Sequence, residues 1–317
     1  MSAARLSVPA RLLADVVSGL PNDKISIALN TKTQTTNLLC AQFETNIKGM
    51  EANEFPIIVT IADHEPSITF PPDLLREVIG QVAIAAATDD TRPVLAGVLM
   101  RLTGTTATFA AADGFRLAVR TIELPEPVRA PQDVIIPARA LLELARIIGD
   151  VEGNVEITIT PGGGQILFHT ETIDVVSRLI EGKFPDFERI IPAQSATRTV
   201  LDRQELAKAV KLASYFANVP SNTTVKLTIE SGGELAPGKL TISANAAEVG
   251  DNTGTLDGMI HGEGGLIALN VRFLAQAVES LGTPQIALET QTPQHPAVFK
   301  PVGADGYLHL LMPMTAR

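Results

Sequence analysis

Apolar positions along the chain repeat one amphipathic pattern three times. It reads first as Val8-Pro9-Ala10-Arg11-Leu12-Leu13-Ala14-Asp15-Val16-Val17. It returns as Ile136-Pro137-Ala138-Arg139-Ala140-Leu141-Leu142-Glu143-Leu144-Ala145, and again as Leu269-Asn270-Val271-Arg272-Phe273-Leu274-Ala275-Gln276-Ala277-Val278. Aligning the copies places Arg11, Arg139 and Arg272 at one position. It also stacks Leu12/Leu13/Val16/Val17 on Ala140/Leu141/Leu144/Ala145 and Phe273/Leu274/Ala277/Val278. That spacing predicts a helix with one buried stripe, and Pro9 and Pro137 fall in the first turn, where a helix tolerates proline. Each copy then passes through a Gly-containing turn into an alternating run predicted as a strand, at 25–29, 155–159 and 285–289.

A second kind of helix is predicted at 72–87, with Leu75, Val78, Ile79 and Val82 on one face. Its copy at 202–215 carries Leu206, Ala209, Val210 and Ala213 at the same places. Strands are predicted at 38–45, 97–102, 107–111, 225–229 and 240–244, with a polar loop at 30–37. Their alternation suits antiparallel pairing with one buried face. Pro161-Gly162-Gly163-Gly164 lies between two strands and reads as a hairpin turn, since it lacks the Lys-Ser/Thr and the helix of a phosphate loop. The fold class is therefore α+β, a duplicated module of helices and antiparallel sheet. Three domains are expected: a partial one at 1–65 holding only the second half-unit, a central one at 66–193 and a C-terminal one at 194–317, with 56–66 as a connector.

Composition narrows the function. With 317 residues, 45% hydrophobic and 19% charged, the chain is globular and long enough for two or three cores. No apolar run approaches the about 18–20 residues of a membrane span, so no membrane partner is expected, and the N-terminus has no secretory pattern. Cys40 is the single cysteine, which fits a reducing cytoplasm. A net charge of −10 argues against nucleic acid for the surface as a whole, yet one basic face can coexist with an acidic remainder. No Trp and two Tyr leave little material for stacking on bases.

A search for catalytic chemistry finds no constellation. His64, His169, His261, His295 and His309 are scattered, without metal-ligand spacing, and there is no nucleophile elbow. Asp89-Asp90 beside Thr91 and Asp113-Gly114 read as turns. The chain is expected to be no enzyme and to hold no metal or cofactor. Binding is better supported. Arg11, Arg76, Arg139, Arg146, Arg203, Lys208, Lys211 and Arg272 lie on polar helix faces, and the recurrence of Arg11, Arg139 and Arg272 suits repeated contact with backbone phosphates. The stretches 113–117, 183–192 and 310–314 carry more apolar surface than a core requires, and Met312 and Met314 are adaptable side chains.

Four motifs carry a family resemblance: Thr91-Arg92-Pro93-Val94-Leu95-Ala96-Gly97-Val98-Leu99, Ala111-Ala112-Asp113-Gly114-Phe115-Arg116-Leu117-Ala118, Glu181-Gly182-Lys183-Phe184-Pro185-Asp186-Phe187 and Met312-Pro313-Met314. In order and spacing they resemble the bacterial DNA polymerase III beta sliding clamps, over essentially the whole chain. The resemblance implies the DNA clamp fold, here with two complete domains and one partial, in a homodimeric ring with helices around the hole. It implies a processivity factor that encircles double-stranded DNA without reading sequence, with Arg11, Arg76, Arg139, Arg203, Lys208 and Arg272 facing the duplex. It further implies a pocket for a linear peptide of the replicative polymerase and the clamp loader. The walls of that pocket carry over to Leu95, Gly114, Phe115, Arg116, Leu117, Pro185, Arg189, Ile190, Leu311, Met312, Pro313 and Met314, with Phe115 where some members have histidine. The subunit contact carries over to Ile47, Tyr215 and Phe216. The largest departure from the family is expected at the start, where a member would have about one further helix-strand unit before Ala3, counting from this chain's own repeat. The alternative is a clamp-like interaction module that binds clamp partners without closing on DNA.

Overall fold

A computed structural model describes residues 5–52, 68–89, 91–217, 223–232 and 237–315. The connector expected at 56–66, with His64, and Asp90 of the acidic pair lie outside the described residues. The chain divides into two compact units, Met1–Val59 and Thr60–Arg317.

The first unit holds β1 (Leu6–Ser7), α1 (Ala10–Gly19), β2 (Ile25–Asn30), β3 (Thr35–Cys40), β4 (Phe43–Lys48) and β5 (Met50–Glu51). The strand expected at 38–45 is in fact two strands. The chain turns at Ala41, whose φ of 50° a left-handed turn requires, and the alternation continues across the turn, which hid it in the sequence. The strands form a sheet of order β2-β3-β4, and β1 pairs separately with β5. Register puts Ile25, Ile27, Leu38, Cys40, Phe43 and Ile47 on one face. Leu38, Cys40 and Ile47 are buried there, and the Cys40 thiol donates to the Pro21 carbonyl at 3.5 Å.

The second unit repeats one plan four times: a lead strand, a helix and three further strands. The first copy is β6 (Ile68–Phe70), α2 (Pro72–Val82), β7 (Gly97–Thr103), β8 (Thr106–Ala112) and β9 (Arg116–Glu123). The second is β10 (Gln132–Pro137), α3 (Ala138–Ile147), β11 (Val155–Ile159), β12 (Gln165–His169) and β13 (Asp174–Arg178). The third is β14 (Thr197–Asp202), α4 (Arg203–Ala217), β15 (Thr224–Glu230), β16 (Gly238–Ala246) and β17 (Gly250–His261). The fourth is β18 (Gly265–Asn270), α5 (Val271–Ser280), β19 (Gln285–Thr290), β20 (Ala297–Pro301) and β21 (Tyr307–Leu311). The helix expected over 72–87 tightens to a 3-10 turn at Ala83–Ala85. The glycine run at 162–164 is the expected hairpin turn between β11 and β12.

Lead strands are exchanged between sister copies. β10 pairs with β7 and β6 with β11, while β18 pairs with β15 and β14 with β19, all antiparallel. Each copy thus covers the open edge of its sister, and the helices follow: α2 packs on α3, and α4 on α5. The apolar stripes read from the sequence point inward. Leu75, Val78, Ile79 and Val82 of α2 meet Leu141 and Leu144 of α3 over Phe70, Phe109 and Phe168. Leu206, Val210 and Ala213 of α4 meet Leu274, Ala277 and Val278 of α5 over Leu288 and Phe299. Pairing of β9 with β21 joins both halves of the unit into one twelve-stranded sheet. The opposite face of that sheet carries a smaller core of Leu99, Leu117, Val298 and Leu310. The connector after β13 caps it with Phe184 and Phe187.

Where β9 meets β21, the seam is pinned by a buried polar cluster. The Tyr307 hydroxyl donates to the Gln81 carbonyl of α2 at 3.0 Å and lies 2.7 Å from Ser280 Oγ of α5 and 3.1 Å from His309 Nδ1. With the single Tyr307 hydroxyl proton committed to Gln81, the bond between Tyr307 and His309 needs the imidazole to donate from Nδ1. Burial pushes the His309 pKa down to about 3 and raises that of Tyr307. Replacing Tyr307 with Phe should leave buried partners unpaired and cost roughly 1–3 kcal/mol, read as a lower midpoint in calorimetry. Because His309 stays neutral in the fold and titrates near 6.5 once unfolded, its contribution is full above pH 6.5. It is lost as pH falls from there towards 3. His309→Asn should flatten the pH dependence of stability across that window.

Candidate functional site

Backbone pairing at the seam builds the candidate site. Arg116, the first residue of β9, faces Leu311, the last of β21, and one step further the Met312 N–H donates to the Phe115 carbonyl at 2.8 Å. The chain after β21 then crosses to β18, where the Met314 N–H donates to the Ala268 carbonyl at 2.8 Å. Phe115 and the Met312-Pro313-Met314 tail thereby become neighbours in space.

Asp113 sets the turn before β9. Its Oδ1 accepts from the Phe115 and Arg116 N–H groups at 2.8 and 3.0 Å, and Oδ2 pairs with Arg116 Nε at 3.0 Å. Gly114 sits between them at φ +94°, a conformation that favours glycine, and Arg92 Nη2 donates to the Asp113 carbonyl at 2.9 Å. The Arg116 guanidinium is buried, lies 4.4 Å from the centre of the Phe273 ring and donates to Gln276 of α5. Burial lowers its pKa, and the Asp113 carboxylate opposes that loss. Arg116 therefore ties two modules together through Gln276 and Phe273, while its local pair with Asp113 shapes the turn that leaves Phe115 outward, 64% exposed. Asp89 has a similar local duty: its carboxylate accepts from the Thr91 N–H at 3.1 Å and from the Thr91 hydroxyl, which lowers its pKa.

In front of Phe115 opens a cleft of about 1180 Å³. Phe115, Met312, Pro313 and Met314 line it, as do Thr223, Thr224, Lys226, Asn270, Phe273 and the 243–248 stretch with Asp251 and Thr253. The Thr224 hydroxyl donates to Met314 Sδ at 3.5 Å, and Asn270 caps α5 by accepting from the Arg272 and Phe273 N–H groups. Sequence reasoning missed this second wall, because polar residues of β15, β16 and the α5 cap carry no motif of their own. Asn270 as N-cap and Phe273 one turn later were the available signal.

The other expected peptide-contacting residues fall elsewhere. Leu95, Leu117 and Leu311 are buried, Leu117 within the smaller core. Gly114 and Arg116 stand behind Phe115. Pro185, Arg189 and Ile190 are exposed on the connector over that core, with Arg189 paired to Asp186 at 2.7 Å. Of the expected DNA-facing residues, Arg11, Arg76, Arg139, Lys208 and Arg272 are exposed on their helices and Arg203 is half-buried. Glu77, Glu143 and Glu279 share those surfaces. Of the expected subunit contacts, Tyr215 is exposed and Phe216 half-buried, next to exposed Leu212. Val249 is exposed in the nearby β16–β17 turn. Ile47 is buried on the inner face of its sheet, because alternation in β4 points it away from solvent. Among the described residues no helix is long and apolar enough to cross a membrane.

Residues 69–186 match the DNA polymerase III beta subunit central domain, and residues 188–315 match its C-terminal domain. The chain belongs to the DNA polymerase III beta subunit family. A curated beta sliding clamp of Synechocystis is 29% identical over 98% of this chain and 82% of its own length. That of Staphylococcus aureus is 28% identical over 97% and 79%. Among solved structures, the Bacillus subtilis DNA polymerase sliding clamp superposes with a TM-score of 0.85 at 28% identity, covering 98% of this chain and 80% of its own. A Pseudomonas aeruginosa sliding clamp solved with a ligand gives 0.81 at 28% identity, covering 98% and 82%. The fold of this beta-subunit chain is thus the sliding-clamp fold, with α+β modules built from duplicated halves.

In this sliding-clamp chain the Asp113–Arg116 pair is the device that presents Phe115. Arg116→Met should strand the Asp113 carboxylate and cost about 3 kcal/mol of stability in denaturant unfolding. Arg116→Lys should recover only part of that, since an ammonium cannot pair with Asp113 and Gln276 in one plane while lying over Phe273.

Proposed function

We propose that this chain is a processivity clamp for a replicative DNA polymerase, working without catalysis of its own. In this reading it is held on duplex DNA by encirclement and docks its partners through the Phe115/Met312 cleft. The observation that carries the docking site is the cleft at the module seam, apolar at Phe115, Met312, Met314 and Phe273 and polar at Thr224, Lys226 and Asn270. Apolar anchors of a short extended peptide would fill the first set, while the second would orient its backbone and amide groups. A loose apolar surface with two methionines suits several partners in turn. A peptide carrying Gln followed by Leu and Phe anchors should bind in the micromolar range, roughly −8 kcal/mol. Met312→Asp and Phe273→Ala should each weaken it at least tenfold in fluorescence anisotropy, and unchanged affinity in both would move the site elsewhere.

Duplex DNA would be met by the polar faces of the helices, where Arg139 and Arg272 hold equivalent places and remain exposed. Contacts of that kind neutralise phosphates, release counterions and ignore base identity. The acidic whole keeps such contacts weak, which a sliding ring requires. Binding to a duplex should fall steeply as salt rises, and the double reversal Arg139→Glu with Arg272→Glu should weaken it alike for unrelated sequences. Preference for one sequence, or indifference to salt, would speak for base readout instead. A homodimer closing head to tail would use the exposed Leu212, Tyr215 and Val249 surface, which is too apolar to be left to solvent without use.

A further inference from the structure

Three of the described residues lining the cleft are charged: Lys226, Glu248 and Asp251. Strand register keeps the cation apart from the two anions. Lys226 lies in β15 opposite Ser243 of β16 and Ala268 of β18, with Thr224 and Thr228 beside it on the same face. Every one of those neighbours is neutral. Asp251 stands opposite Asn245, one strand further out and two residues along, which puts it about 12 Å from Lys226. Glu248 is in the β16–β17 turn beyond, and Glu230, the acid of β15 itself, is four residues away opposite Lys239. Among the described residues, the ion pairs of this sheet join Arg198 and Lys300 to Glu289 and leave Lys226 out. Lys226 also borders the apolar end of the cleft. The Thr224 hydroxyl donates to Met314 Sδ, and the Met314 N–H donates to the carbonyl of Ala268. Met314 is thus fixed to two of the residues next to Lys226, one along β15 and one across on β18.

We infer that Lys226 makes this cleft choose among partners, by pairing with an acidic side chain that flanks the apolar anchors of the docked peptide. The assignment deepens the docking proposed above and rests on it. Lys226 is half-buried, so its ammonium has lost part of its water and, among neutral neighbours, has gained no counter-ion. A carboxylate brought beside it is attracted more strongly than by a lysine in open solvent. The flexible four-carbon stem lets the charge follow the peptide beyond Met314. Glu248 and Asp251 repel a carboxylate at the far end of the cleft, which sharpens the choice of where the acid must lie. Long-range attraction acts the other way. The chain carries a net charge of −10, so steering alone favours basic peptides, and a gain from an acidic flank has to be local.

The test uses the whole chain and a peptide with the Gln, Leu and Phe anchors, carrying alanine immediately before and after them. Glu or Lys then replaces either alanine, and affinity is read by fluorescence anisotropy at low salt. At one of the two flanks Glu should bind roughly fivefold tighter than alanine and Lys weaker, with the difference shrinking as salt rises. The ratio of the Glu to the Lys affinity is the readout for variants. Lys226→Arg should keep it, Lys226→Met should bring it close to one, and Lys226→Glu should invert it. A peptide that binds and is weakened by Met312→Asp, yet ignores the charge of both flanks, would overturn the inference and leave the docking cleft standing. A preference for Glu that survives Lys226→Glu would overturn it as well. Failure of every peptide to bind would overturn both the inference and the docking on which it rests.

Discussion

A sheet edge cannot be left unpaired inside a protein without leaving backbone N–H and C=O groups unsatisfied, and this architecture meets that constraint by exchange. Each half-module lends its lead strand to its sister, so four edges in the second unit are covered by the chain's own repeats. Helix packing is a consequence. Once β10 lies on β7 and β6 on β11, α2 and α3 follow their lead strands onto the same side and bury each other's stripes. The reciprocity explains why helices of both kinds are apolar on one face and polar on the other.

Much of this was legible in the chain. The helical repeat showed in Leu13/Val16, Leu141/Leu144 and Leu274/Ala277, because all three keep one apolar stripe at helical spacing, buried in α3 and α5 and half-buried in α1. The exchange of lead strands was not legible, since pairing partners far apart in sequence leave no local trace. The site divided in the same manner. Phe115 and Met312 could be picked out because large apolar residues beside a turn and at a chain end are unusual. Ser243, Lys226 and Thr224 could not, because polar residues on a strand are what any solvated face carries. Ile47, to which the resemblance carried over a subunit contact, is buried on its sheet, a placement that only the β3–β4 ladder fixes.

The seam mixes buried charge with buried neutral polarity in one place. Arg116 reaches across it to Gln276 and Phe273, while Tyr307 reaches back to Gln81, so α2 and α5 are each gripped from the strand pair between them. Apolar packing alone would allow the helices to slide. Directional bonds do not, and the relative placement of Phe115 and Phe273 across the cleft depends on them.

The β9–β21 ladder also has a mechanical meaning. Its hydrogen bonds lie in the plane of the sheet and across the strands, along the line on which the two modules would separate. A pull in that direction loads them one pair after another, as a zip, from whichever end yields first. One end is the turn at Arg116 and Leu311, beside the cleft, and the other is Arg120 against Tyr307, beside the buried hydroxyl. A peptide seated at Phe115 and Met312 would clamp the first end, so an occupied clamp would resist being pulled open more than an empty one.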